Sequence, residues 1–146
     1  MKAVIQRVKS AVLEVDGSVV SSIGHGMVVY WGVEKGDVQD SSAYLARKIA
    51  NMRIFSDENG KMNLSVKDVG GEILLVSQFT LMADTSRGNR PGFELAERPD
   101  IAKQMYLDAG KLLENEGVPV RYGVFGADMT ITQVNDGPVT ILMEKK

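Results

Sequence analysis

Apolar and polar residues alternate at both ends of this chain and fall into helical spacing at two places between. In the last stretch Val139, Ile141 and Met143 alternate with Thr140, Leu142 and Glu144, the two-residue period of a strand with one buried face. Residues 3–15 carry strand-forming side chains with less regular alternation, and Asp16-Gly17 is a turn signal leading into SVVSSI. After the Gly24-His25-Gly26 break, MVVYWGV is an apolar run that predicts a buried strand, and GGEILLVSQFTLMA begins the same way. DVQDSSAYLARKIANM predicts a helix, with Asp37 placed to cap it and Leu45, Ile49 and Met52 on one face. RIFSDENGKMNL predicts a hairpin turning at Glu58-Asn59-Gly60. A second helix has Pro99 in its first turn, Gly117 just past its end, and a stripe of Ile101, Met105, Leu112 and Leu113. VPVRYGVF, MTITQV and VTILME close the chain as strands, and Val134 to Glu144 reads as a strand interrupted and then resumed. Two main helices against short strands predict an α+β fold, with a curved, mostly antiparallel or barrel-like sheet. With no linker and no repeat, residues 1–146 read as one domain.

Composition narrows the function. A formal net charge of −2 and a pI near 5.4 argue against coating nucleic acid through phosphate neutralisation alone, but allow a pocket that grips one RNA end. There is no cysteine, which excludes disulfides and thiolate chemistry. The first residues, MKAVIQRVKSAVLEV, carry charges every few positions, unlike a signal peptide, and no run approaches the roughly 20 apolar residues of a membrane span. A cytoplasmic protein is expected.

The catalytic inventory is mostly negative. The single histidine, His25, sits in a Gly-His-Gly turn, where a solvated role suffices. No HExxH, CxxC, GxSxG, Walker or GxGxxG pattern occurs, so neither a metal nor a cofactor is expected. Acidic groups such as Asp57-Glu58, and Glu114 with Glu116, sit at a turn and at a helix end and form no acid–base pair.

Two segments break the pattern. In LLVSQFTL an apolar run passes into Ser77, Gln78, Phe79 and Thr80 without a turn residue. This is either a strand with a polar outer face or the polar end of a pocket, where freed backbone N–H groups can hold an oxyanion. Asn135-Asp136-Gly137-Pro138 stacks turn-forming residues at the lip of a strand whose ladder Pro138 cannot join. It is either a tight turn or a rigid element that aims backbone carbonyls at a ligand.

Together SQFTL (Ser77–Leu81) and NDGPVT (Asn135–Thr140) resemble the two signature motifs of the D-aminoacyl-tRNA deacylase family. Similarity extends over the chain, through AVIQRV, GVEKGD, RIFSDENGKMNLSV and GVFGADM. The resemblance implies a homodimer of barrel-like subunits with an active site at the interface. Ser77, Gln78, Phe79 and Thr80 of one subunit would line the pocket. Gly137 and Pro138, joined by a cis bond in that picture, would reach in from the other subunit and turn away L-amino acids. One departure is the loop ending Arg90-Pro91-Gly92-Phe93, where the family is associated with Arg-Pro-Ser-Phe; a contact by that serine hydroxyl is not expected here.

The activity so implied is hydrolysis of the ester in D-aminoacyl-tRNA, releasing D-amino acid and tRNA, with glycyl-tRNA on a non-cognate tRNA as a further substrate. Backbone N–H groups of Phe79 and Thr80 would hold the oxyanion while water attacks. Thr80 as a covalent nucleophile is the rival, but no base stands beside it in the sequence. Arg87 and Arg90 are candidates for holding acceptor-stem phosphates. The expected partners are a second copy of the chain and the aminoacylated 3′ end of tRNA, with neither membrane nor DNA. The alternative is a noncatalytic dimeric module that binds a small ligand or an RNA 3′ end.

Overall fold

The computed structural model describes residues 1–146. The strands are β1 (Lys2–Val15), β2 (Ser18–Ile23), β3 (Gly26–Gly32), β4 (Phe55–Ser56), β5 (Met62–Leu64), β6 (Glu72–Ser77), β7 (Val120–Tyr122) and β8 (Thr130–Glu144). Two helices, α1 (Gln39–Ala50) and α2 (Pro99–Asn115), interrupt them, and a 3₁₀ turn at Phe79–Met82 follows β6. The main sheet runs β2-β1-β3-β6-β7, with β8 on the other edge of β1 and β4-β5 as a separate hairpin. Pairings of β1 with β2, β3 and β8 are antiparallel; β3-β6 and β6-β7 are parallel. The sheet curls until its ends approach, where Ser21 Oγ donates to the Tyr122 carbonyl at 2.6 Å. The α+β, barrel-like expectation matches this architecture.

Both faces of the sheet are covered, which explains the unbroken apolar runs of β3 and β6. Met27, Val29, Trp31, Ile73 and Leu75 join Leu45, Ile49, Met105 and Leu113 of the helices in one core. Val28, Leu74 and Val76 face the barrel interior with Val8, Ala11 and Leu13. The irregular alternation of β1 has a local cause. Val8 pairs with Asn135 and Ser10 with Val134, so Lys9 bulges out unpaired and the buried side changes from Ala3 and Ile5 to Ala11 and Leu13. No helix is long and apolar enough to cross a membrane.

Two expectations are corrected. Asp37 does not cap α1: the N-cap is Val38, without a side-chain bond. The Asp37 carboxylate is already engaged, accepting from the Glu34 amide at 2.7 Å and the Met1 nitrogen at 2.6 Å. The buried face of α2 is Met105, Tyr106, Ala109, Gly110 and Leu113, whereas Ile101 is 39% exposed and Leu112 only partly buried. A stripe of large aliphatics missed the small residues, on which Tyr122 packs. MTITQV and VTILME are one strand, β8, interrupted at the Asn-Asp-Gly-Pro segment and resumed after it, in line with the sequence reading.

Candidate active site

The chain leaves β6 at Ser77, which pairs with Trp31 near the end of β3. Gln78 adds one more rung, its amide donating to the Trp31 carbonyl at 2.8 Å, before the backbone turns into Phe79–Met82. The first amides of a helical turn have no partner inside it. Those of Phe79 and Thr80 find none outside it either, whereas Leu81 donates to the Gln78 carbonyl. The turn comes this close to β3 because Gly32 lacks a side chain. A Cβ there would stand 2.9 Å from the Gln78 carbonyl oxygen and 2.9 Å from Met82 Cε.

A cavity of about 500 Å³ opens beside this turn. Ser77, Gln78 and Phe79 form its polar end; Trp31, Val76, Phe125 and Met129 supply apolar walls, and Glu97 and Asp128 bring carboxylates. Its outer wall is held against the end of β3 by Lys35 N–H to the Leu95 carbonyl at 2.9 Å and Glu97 N–H to the Val33 carbonyl at 3.0 Å. Trp31 Nε1 is the one buried side-chain nitrogen or oxygen without a hydrogen-bond partner. Thr80 stands outside the lining residues, its Oγ1 accepting from Gln78 Nε2 at 2.5 Å. No side chain accepts a hydrogen bond from the Thr80 hydroxyl.

Phe79 is 57% exposed and meets Phe93 edge-on, with ring centroids 5.1 Å apart. Phe93 follows the loop carrying Arg87 and Arg90, both exposed and outside every ion pair. Two backbone bonds close that loop, Asp84 N–H to the Gly92 carbonyl at 2.8 Å and the reverse at 2.9 Å. The Ser86 hydroxyl and amide hold the Asp84 carboxyl below its ordinary value. At Gly92 the Glu94 carboxylate occupies the space a side chain would take.

Gly137 and Pro138 lie elsewhere on this chain, exposed on β8 and not lining the cavity. Their peptide bond is cis and Gly137 has φ +125°, a region side chains disfavour. The register explains how an interrupted strand resumes. Gln6 pairs with Thr140 and Val8 with Asn135, so Asp136, Gly137, Pro138 and Val139 together face Arg7 alone. Arg7 holds this protrusion. Its Nε donates to the Asp136 carbonyl at 3.1 Å, its Nη1 to the Ile54 carbonyl at 2.6 Å, and the Asp136 carboxylate lies 3.4 Å from Nε. A Cβ on Gly137 would come within 3.1 Å of the same guanidinium. Sequence reasoning missed Arg7, although AVIQRV puts it in step with buried Ala3 and Ile5. It also missed Gly32, Glu97 and the Phe125–Met129 wall.

Residues 4–144 match the family model described as D-Tyr-tRNA(Tyr) deacylase. A curated relative from Geobacter sulfurreducens, named D-aminoacyl-tRNA deacylase, is 52% identical over all of this chain and 96% of its own length. A solved structure titled c-Myc DNA Unwinding Element Binding Protein superposes with a TM-score of 0.94 at 41% identity, covering 100% of this chain and 99% of the other. A second, titled as a probable eukaryotic D-amino acid tRNA deacylase, shares the fold with a TM-score of 0.83 at 16% identity, over 97% of each chain. By sequence along nearly its whole length, the chain belongs to the D-Tyr-tRNA(Tyr) deacylase family.

Proposed function

We propose that this protein hydrolyses the ester joining a D-amino acid to the 3′ end of tRNA in the cytoplasm, and glycyl esters on non-cognate tRNA as well. The observation that carries the reading is the pair of unbonded amides at Phe79 and Thr80, beside the Ser77–Phe79 end of the cavity. In the reaction water adds to the ester carbonyl, the amides take the oxyanion, and the ribose oxygen leaves with a proton relayed by its neighbouring hydroxyl. The apolar walls suit a terminal nucleotide, and Arg87 and Arg90 suit phosphates further along the acceptor stem.

The Gly137–Pro138 element acts from the partner of a homodimer. Supporting this, β8 pairs with β1 on one edge only and exposes Val134 at 50% and Leu142 at 69%, an apolar surface that a second copy would cover. Light scattering on dilute protein should return the mass of two chains; an active monomer removes the cross-subunit site.

Thr80 positions and does not attack. Its hydroxyl oxygen is engaged by Gln78, and a threonine nucleophile needs a base to take its proton. Thr80→Ala should therefore slow deacylation of D-tyrosyl-tRNA about tenfold, as expected from one lost polar contact, and leave it measurable. A trapped aminoacyl adduct on Thr80 would overturn this and make the residue the nucleophile. The noncatalytic alternative draws one point of support from the 41% identical structure whose title describes a DNA-binding protein. Complete absence of deacylation with retained tRNA binding would select it.

A further inference from the structure

A chain of four side-chain hydrogen bonds crosses three strands and ends at both feet of the protrusion on β8. The Tyr30 hydroxyl, on β3, donates to Gln133 Oε1 at 2.9 Å. Gln133 Nε2 then donates to Gln6 Oε1 at 2.8 Å and to Asn135 Oδ1 at 2.6 Å. Gln6 Nε2 donates onward to Thr140 Oγ1 at 3.3 Å. Asn135 is the last residue paired with β1 before the Gly-Pro segment, and Thr140 is the first after it.

We infer that Tyr30 and Gln133 are positioning residues for the Gly137–Pro138 element and, through it, for the choice between D and L esters. The inference rests on the filter role proposed above for that element. Its physical basis is the one-way sense of the chain. The phenol donates to the Gln133 amide oxygen, so that oxygen faces Tyr30. In that orientation the amide nitrogen faces two carbonyl oxygens and both bonds form. The flipped amide would set oxygen against oxygen at Gln6 and Asn135. Burial raises the Tyr30 pKa, which keeps the phenol a donor. Arg7 contacts the protrusion itself, through the Asp136 carbonyl and carboxylate, whereas the side-chain hydrogen bonds end at Asn135 and Thr140.

Tyr30→Phe removes one oxygen and keeps the ring that packs on the barrel interior, so the fold should survive. Two readouts are taken: amide exchange over residues 135–140, and the ratio of D- to L-tyrosyl-tRNA hydrolysis. Loss of one such bond should speed exchange there and lower the ratio about fivefold, with the melting temperature little changed. Gln133→Glu should behave the same way, because a carboxylate accepts from Tyr30 but cannot donate to Gln6 or Asn135. A merely structural role would alter stability and leave the ratio alone. Unchanged exchange over 135–140 overturns the inference whatever the ratio does. Faster exchange with an unchanged ratio overturns the link to selection and places the fault in the filter reading itself.

Discussion

Replacing Gly32 with alanine should slow deacylation of D-tyrosyl-tRNA about a hundredfold, while stability falls by only about 1–3 kcal/mol. The new methyl group would stand 2.9 Å from the Gln78 carbonyl oxygen, 2.9 Å from Met82 Cε and 3.1 Å from Leu81 Cβ. Met82 Cε ends a flexible side chain and can give way, but the Gln78 oxygen is backbone and accepts the Leu81 amide. The strain is relieved when the whole segment from Gln78 to Met82 moves away from β3. That movement carries the Phe79 and Thr80 amides with it. Donors to an oxyanion work only when already aimed, and losing one costs about a hundredfold to a thousandfold in turnover. Single-turnover rates set beside thermal melts separate the two effects. A variant within about threefold of the parent rate would show that the position of these amides does not limit the chemistry, against the catalytic proposal.

Gly32 marks the boundary of what the sequence discloses. Its role is the absence of an atom against a segment distant along the chain, and no local pattern records that. Ser77 to Thr80 stood out as an apolar run passing into polar residues with no turn between, also compatible with a polar strand face; the structure puts Ser77, Gln78 and Phe79 at one end of the cavity and Thr80 outside its lining. Arg7 did not stand out. Although Arg7 keeps step with Ala3 and Ile5, Val8 beside it is apolar and buried too, so an inward charge could not be told from an outward one before the pairing was known. The turn chemistry of Asn135 to Pro138 marks an interruption of one strand that then resumes, as the alternation after it indicated. Pairing with β1 on both sides, and Arg7 on the protrusion, override the local preference. At α2 the punctuation held, with Pro99 at its start and Gly117 beyond its end. Its inward face did not, because contact was made by Tyr106, Ala109 and Gly110, which a search for large aliphatics passes over.

The central claim is that selection works by excluding L esters and not by recognising D side chains. If the ammonium is fixed by the carbonyls of the Gly-Pro element and the ester carbonyl by the strand-end amides, two directions remain at the α-carbon. D and L substrates exchange hydrogen and side chain between those directions. Gly137 has no side chain, and its surroundings leave none room: Val139 N lies 3.0 Å and the Arg7 guanidinium 3.1 Å from where a Cβ would be. An L side chain aimed at such a backbone must collide or displace the ammonium, whereas the D side chain points outward and its size matters little. An attractive pocket gives only about 1–3 kcal/mol per methylene, too little to spare the abundant L esters. A filter that excludes has a fixed blind spot, since glycine offers nothing to collide. The direct measurement compares D-tyrosyl-, glycyl- and L-tyrosyl-tRNA under one set of conditions. Cleavage of the first two with the third spared is the predicted result. Glycyl-tRNA as resistant as the L ester, with several D esters cleaved, would contradict exclusion and establish recognition of the D side chain.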